Sequence, residues 1–321
     1  MMNHKHRHRR PPAGSASGFS LVELMITMAI GLVLILGAVT IYASGRQNFR
    51  TFENIARIQD NGRFALSRLG PDVRLAGYWG RSYEAAFIDV PDELTVTCGG
   101  ADVTAWALAL DEGIGAIDDG YDLPCPAFSA AQADTDVLIL RHASSQPATL
   151  QAGTLQVQTA RTNGVMFDDG LMPAGFLPAP VSETHDVVVH AYYVDQSSSV
   201  GDMPSLRRQT LVAGNRIEDQ EVIPGVENLQ VQFGIDTDDD GTVDRYVDPD
   251  HAALTPGAAG FVPTAEITAV RLWLLVRSEL REAAYVNDAT YTPLDGDLAP
   301  ITPADSFRRM PLSTTIFLRN Q

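Results

Sequence analysis

The chain has 321 residues, of which 45% are hydrophobic and 20% are charged, a composition typical of a folded protein with a sizeable core. Its formal net charge is −17, and this acidity argues against a nucleic-acid partner because a phosphate backbone favours Lys and Arg. Residues 1–18 break the pattern, since all their charged side chains are basic. A basic head on an acidic body indicates that the head has a function of its own.

An apolar segment follows the head and runs from Phe19 to about Ser44, with Glu23 as its only charged residue. A helix of about twenty residues rises roughly 30 Å, the thickness of a bilayer core. The segment is too long for a secretory signal peptide, and it continues into an amphipathic helix. Basic residues ahead of the span predict a cytoplasmic amino terminus and an outer body. A plain signal anchor would not explain Glu23, because an ionisable group in a membrane helix costs at least ~2.5 kcal/mol.

The sequence Gly18-Phe19-Ser20-Leu21-Val22-Glu23-Leu24 resembles the class III signal of type IV pilins and type II secretion pseudopilins. The resemblance implies that a prepilin peptidase cuts between Gly18 and Phe19, removes residues 1–18 as a leader and methylates the new amino terminus. In a helical bundle Glu23 can pair with the Phe19 amine of a neighbouring subunit, since it lies about 6 Å along the helix. That pairing would offset the cost of the buried carboxylate and set the register of assembly.

The helix is predicted to continue through residues 45–70 in amphipathic form. Apolar or small residues recur there three or four positions apart, and Gly70-Pro71 ends the pattern. Residues 19–44 would form the membrane half, and the stripe of residues 45–70 would pack on a globular sheet. A long coiled-coil stalk is the alternative, although the stripe is short and its charges are unsystematic.

The remainder, residues 71–321, predicts one β-rich globular domain with large loop insertions. The strand candidates combine apolar runs or alternation with β-branched and aromatic residues. They are Asp136–Arg141, Asp186–Val194, Val226–Ile235, Ala269–Arg277 and Ser313–Leu318. The expected fold class is α+β and pilin-like, with one long amino-terminal helix packed on an antiparallel β-sheet.

Three phrases resemble the PilW-type minor pilins, namely Arg74–Gly80, Gly225–Gly234 and Arg308–Asn320. The resemblance implies a structural subunit that helps to initiate or cap a type IV pilus and so serves cell adhesion and twitching motility. Its partners would be other minor and major pilins, prepilin peptidase, the inner membrane and a possible tip adhesin. It would reside first in the inner membrane, with a periplasmic globular domain, and then in the pilus fibre at the cell surface.

Two other functions remain open at this point. One is a type II secretion pseudopilin, which would share the amino-terminal signal, and the other is a membrane-tethered, calcium-dependent adhesin. We predict no enzyme, because the chain has no GxSxG, HExxH, P-loop or GxGxxG motif.

Cys98 and Cys125 fall in the part that this topology places outside the cytoplasm, where disulfides persist. We predict a disulfide between them, and closing such a loop could stabilise the fold by roughly 3.5 kcal/mol in the chain-entropy model. Two buried free thiols are the alternative. A zinc site is disfavoured because neither cysteine has a CxxC partner.

The segment Asp236–Asp244 matches the first nine positions of an EF-hand calcium loop. Carboxylates at the first, third and fifth positions can converge on one ion, and a glycine at the sixth permits the sharp turn. The predicted calcium ligands are Asp236, Asp238, Asp240, Thr242, Asp244 and Asp248. The twelfth position is Val247 instead of a glutamate, and predicted strands flank the loop. We therefore expect a calcium loop within a β-hairpin, with a metal-free acidic turn as the alternative.

Overall fold

The structure is a computed structural model that describes residues 18–82, 84–283 and 285–318. It forms two compact units, one up to Phe52 and one from Glu53 onwards. The predicted leader, apart from Gly18, and the last two residues of the closing phrase lie outside the described residues. The first helix contributes to both units.

Helix α1 extends from Leu21 to Leu75, which confirms the predicted long amino-terminal helix. In the first unit it is apolar on all sides and exposed, and an 18-residue window has a mean hydropathy of 2.6 with none of its residues buried. By length and composition, α1 is a helix that could cross a membrane.

The helix continues past Gly70 and Pro71, where the sequence pattern predicts its end. Leu69 and Val73, on either side of this pair, are fully buried in the core of the second unit. Their packing offsets the backbone hydrogen bond that a proline removes. The chain turns away soon after, at Gly77, whose φ of 73° suits a helix carboxyl end.

Asp72 anchors this last part of the helix to the neighbouring sheet. Its Oδ2 accepts hydrogen bonds from His190 Nδ1 at 2.6 Å and from the Tyr192 hydroxyl. Burial by itself raises the pKa of the Asp72 carboxyl, but its hydrogen bond and attraction to His190 outweigh burial and leave the pKa lowered. These hydrogen bonds of Asp72 are a second reason why the helix continues beyond Pro71.

The rest of the second unit consists of short helices and fourteen strands among the described residues. A short 3₁₀ helix spans Ala85–Phe87, and α2 spans Thr104–Ala107. The strands are β1 (Ile88–Asp89), β2 (Thr97–Cys98), β3 (Ala101–Asp102), β4 (Ile114–Ile117), β5 (Val137–Ala143), β6 (Gln156–Ala160), β7 (Asn163–Phe167), β8 (Glu183–Asp195), β9 (Ser205–Val212), β10 (Arg216–Pro224), β11 (Val226–Asp236), β12 (Arg245–Val247), β13 (Glu266–Arg277) and β14 (Arg309–Phe317).

These strands form two sheets, instead of the single antiparallel sheet that the sequence predicts. The larger sheet has the order β1-β7-β6-β8-β9-β10-β2-β3, with β5 joined to β8 and β4 to β5. The smaller sheet has the order β12-β11-β13-β14. Most pairs are antiparallel, whereas β1 with β7 and β10 with β2 are parallel.

All five predicted strands are present, as β5, β8, β11, β13 and β14, and each contributes apolar residues to the core into which α1 packs. Other apolar residues of β5 and β8 form two further core clusters. Strands β9 and β10 were not predicted from the sequence, and they are held partly by ion pairs across their hairpin. Arg207 lies 2.6 Å from Asp219 and 3.0 Å from Glu221. Charged cross-strand pairs stabilise a hairpin without producing an apolar pattern.

Candidate functional site

The predicted processing site lies immediately before α1. The Glu23 N–H donates to Ser20 Oγ at 3.2 Å, and the Leu24 N–H donates to the Ser20 carbonyl at 3.1 Å. A serine cap with a glutamate three residues later is a typical helix start, and a carboxylate in the first turn complements the helix dipole. Gly18 and Phe19 precede the helix, and Phe19 is 82% exposed. The bond between them is therefore outside regular structure, and the residues on both sides of it are exposed.

Five of the six predicted calcium ligands belong to the acidic loop, Asp236–Asp244, which joins β11 to β12. The Asp236 carboxylate accepts backbone N–H groups from Asp238 at 3.1 Å, Asp239 at 2.8 Å and Gly241 at 2.7 Å. Asp239 and Gly241 have positive φ angles of 62° and 79°, so the backbone curls around this carboxylate. Glycine at the second of these positions removes the steric cost of that turn.

Three of the predicted ligands converge within the acidic loop. Carboxylate oxygens of Asp236, Asp238 and Asp244 lie within 4.8 Å of one another. Calcium is bound by oxygens at about 2.3–2.6 Å, so one ion could reach all three. The nearby Asp240 and Asp244 raise the pKa of the Asp238 carboxyl through charge repulsion. A cation between the carboxylates would relieve that repulsion.

The other predicted ligands are placed differently. Asp240 Oδ1 accepts the Thr242 N–H at 2.8 Å, and the Thr242 hydroxyl donates to the same oxygen. Asp248 lies away from the loop, because β12 pairs with β11 and leaves Asp248 beside Gln232, whose Nε2 donates to it at 2.9 Å. Gln232 precedes Asp236 by four strand residues, which is about 13 Å. The prediction of Asp248 as a ligand is therefore wrong for this geometry.

The predicted disulfide between Cys98 and Cys125 is confirmed, with a Cα–Cα distance of 5.7 Å. Both cysteines are buried. The bond ties β2 to the segment that follows β4, where the Tyr121 hydroxyl donates to the Cys125 carbonyl at 2.8 Å. It therefore closes the connection of residues 99–124, whose regular elements are the short β3, α2 and β4.

A second group of acidic side chains was not predicted from the sequence. This acidic cluster consists of Asp118, Asp119 and Asp295, whose carboxylate oxygens lie within 4.8 Å of one another. Burial, followed by repulsion from neighbouring carboxylates, raises the pKa of Asp118 to about 7 and that of Asp119 to about 6. Asp248 is one of the repelling neighbours. No spacing rule finds this cluster, because Asp295 is far in sequence from the adjacent Asp118 and Asp119 and meets them only in the folded protein.

Asp136 fixes the acidic cluster against the smaller sheet. Its Oδ1 accepts the Asp119 N–H at 3.0 Å, and its Oδ2 accepts the Val231 N–H at 2.6 Å. The side chain is 1% exposed, and burial raises its pKa to about 8. One carboxyl thus links the start of β5, the cluster and β11.

Comparisons with known proteins agree with the features at both ends of the chain. The family model of type IV pilus-assembly protein W matches residues 191–320, and the model of the prokaryotic amino-terminal methylation motif matches residues 14–39. A type IV-like pilin from Thermus thermophilus is 15% identical over 82% of this chain and 97% of that chain, with a TM-score of 0.35, a likeness too low to carry an argument. No curated protein sequence matches the chain significantly.

Proposed function

The chain is a type IV pilin of the PilW type, and we propose that it acts as a minor pilin in the initiation or capping of a type IV pilus. The observation that carries the proposal is the amino-terminal arrangement: an exposed Gly18–Phe19 bond, a capped helix start and Glu23 in the first turn of an apolar helix. Pilins of this type are structural subunits, so the proposal assigns no catalytic activity.

Processing is the first step of the proposed mechanism. Prepilin peptidase would cut after Gly18 at the cytoplasmic face of the inner membrane and methylate the Phe19 amine. The leader carries the basic charge that holds the amino terminus in the cytoplasm until cleavage. The globular unit would then lie in the periplasm, joined to a single membrane span.

Assembly is the second step. The apolar half of α1 is exposed along its whole length, so it can pack against the helices of other minor and major pilins. A lone carboxylate within such a bundle is costly unless it is paired. Pairing of Glu23 with the amine of an adjacent subunit would remove that cost and fix the axial register. A tip adhesin would then bind the globular unit.

The test has two measurements on the full chain, expressed with and without prepilin peptidase. Mass spectrometry should show a mature chain that begins with methylated Phe19 only when the peptidase is present. Glu23→Ala should abolish co-purification with sibling pilins, whereas Glu53→Ala, which removes an exposed acid from the same helix, should not. A mature chain beginning at any other residue, or equal loss in both variants, contradicts the proposal.

The type II secretion pseudopilin shares this amino-terminal arrangement and is distinguished by its partners. The family match over residues 191–320 favours the pilus. Co-purification with subunits of a type II secretion system, and not with pilins, would reverse that preference.

We also propose that the acidic loop binds calcium through Asp236, Asp238 and Asp244, with Asp240 and Thr242 at its rim. The convergence of three carboxylates on one point supports the proposal. A bound ion would stiffen the β11–β12 hairpin and the surface that it presents to partners. A tethered calcium-dependent adhesin would use the same site.

Calcium should raise the unfolding temperature of the full chain in detergent, whereas magnesium should raise it much less because it prefers octahedral sites with several waters. Asp238→Asn should abolish the calcium effect. Asp248→Asn is the matched control, since Asp248 lies at the other end of the hairpin and should leave the effect intact. No calcium dependence in the wild-type protein would refute this site.

A further inference from the structure

The part of α1 that follows the apolar segment carries a stripe of aromatic and basic side chains. Arg46 follows Tyr42 by four residues, and Phe49 and Arg50 follow Arg46 by three and four, so the four side chains share one face of the helix. The Arg46 guanidinium carbon lies 5.9 Å from the centre of the Tyr42 ring. Tyr42 is 66% exposed and Phe49 is 71% exposed. We name these four residues the interfacial stripe.

The opposite face of the helix at the same level is different in character. It carries Ser44, Gln47 and Asn48, which are small or uncharged polar residues. The basic and aromatic side chains are therefore concentrated on one side of α1. Such a one-sided distribution favours a partner surface that combines negative charge with an apolar boundary.

The stripe stands at a definite distance from the start of the helix. Tyr42 lies about 32 Å along the helix from Leu21, close to the hydrocarbon thickness of a bilayer. Arg46 lies about 6 Å further on, at the depth of the lipid headgroups. Tyrosine rings are enriched at this boundary, and arginine binds phosphate through two parallel hydrogen bonds.

We propose that the interfacial stripe binds the headgroups of anionic phospholipids at the membrane surface opposite the leader. Charge complementarity and the match between helix length and bilayer thickness both select a lipid occupant. The inference rests on the proposed function in one respect, that α1 resides in a membrane before assembly. Removal of residues 1–18 then takes four Lys and Arg side chains from one surface, where the Phe19 amine remains, and leaves the stripe as the basic anchor at the other.

Native mass spectrometry of the mature chain, residues 19–321, in detergent tests the proposal by titration with phosphatidylglycerol or phosphatidylcholine. The leader is left out because its Lys and Arg side chains would themselves attract an anionic lipid. The wild-type protein should bind phosphatidylglycerol at least about tenfold more tightly, because each arginine near an anionic surface adds to the attraction. Arg46→Gln/Arg50→Gln should remove most of that preference. The matched control is Arg63→Gln/Arg68→Gln, two exposed arginines further along α1, which should keep it.

Three results would overturn the proposal: equal binding of both lipids by the wild type, retention of the preference by Arg46→Gln/Arg50→Gln, or an equal loss in the control. If that double variant keeps its lipid preference but no longer co-purifies with pilins, the stripe is a protein contact. The outcome is separable from the proposed function. Lipid preference without pilin co-purification refutes the minor-pilin role alone, and co-purification without lipid preference refutes the stripe alone.

Discussion

The acidic loop and the acidic cluster show two ways in which this chain gathers carboxylates. In the loop the members are neighbours in sequence, and the N–H groups of Gly241 and Asp238 outweigh burial and lower the pKa of Asp236. In the cluster Asp295 comes from a segment distant from Asp118 and Asp119, and burial with mutual repulsion raises the pKa of Asp118 to about 7. The balance between backbone donors on one side and burial with charge repulsion on the other therefore decides whether an aspartate is stabilised as a carboxylate, and at Asp136 burial outweighs two backbone N–H groups.

The two groups also depend on different parts of the fold. The loop is organised by its own backbone and by the β11–β12 hairpin. The cluster depends on the packing of two sheets, on Asp136 and on the connection closed by the disulfide. Perturbations remote from the hairpin should therefore affect the cluster and spare the loop.

Loss of the disulfide should cause the largest change in stability and should distinguish the acidic cluster from the acidic loop. Cys98→Ser/Cys125→Ser should lower stability by about 3 kcal/mol, because the open connection gains freedom in the unfolded chain. The corresponding fall in unfolding temperature is about 6–12 °C, measurable by circular dichroism on the full chain. Reduction of the wild-type protein should reproduce it.

The same double variant separates the two acidic groups. Calcium affinity of the acidic loop should be unchanged at a temperature where the variant is folded, whereas the pH dependence from Asp118 should weaken. A comparable loss of calcium affinity would show that the loop and the cluster are not independent.

Asp118→Asn should have the next largest effect on the unfolding temperature, with a size that depends on pH. The folded pKa is raised to about 7 from 3.8, so the folded protein holds more protons and its stability falls as pH rises from about 4 to about 7. Without divalent cations the variant should be more stable at pH 8 by about 1 kcal/mol, or about 2–4 °C. The gain should shrink as pH falls towards 4.

The exposed Asp122 provides the control for Asp118. Asp122→Asn makes the same change in net charge, and its unfolding temperature should match that of the wild type at both pH values. If Asp118→Asn instead lowers the unfolding temperature at pH 8, the Asp118 carboxylate makes a favourable contact and the cluster is not repulsive.

Sequence patterns predicted the features that lie within one short stretch. The start of α1, the five strands of the shared core and the turn of the acidic loop each depend on neighbouring residues. Asp248 was misplaced because hairpin register, and not spacing, decides which residues face the loop. The end of α1 was predicted too early, because Asp72 is held by hydrogen bonds from β8, a strand far away in sequence.

No pattern within a short stretch of sequence predicts the acidic cluster. Asp118 and Asp295 are far apart in sequence and meet because β4 and the β13–β14 connection pack near the same part of the smaller sheet. Neither segment has a distinctive ligand spacing, and tertiary packing alone supplies the juxtaposition. The disulfide was predictable for a different reason, since the described body contains only these two cysteines.

Asp238→Asn should give the smallest change in unfolding temperature, and the sign of that change should reverse when calcium is added. Repulsion from Asp240 and Asp244 raises the pKa of Asp238, so ionisation of this side chain opposes folding as pH rises past its unfolded value. Without calcium at neutral pH the variant should therefore unfold at a slightly higher temperature than the wild type, by less than Asp118→Asn at pH 8. With saturating calcium the order should invert, because only the wild type keeps the ligand. Melting curves that fail to cross as calcium is added would show that Asp238 is not part of a cation site.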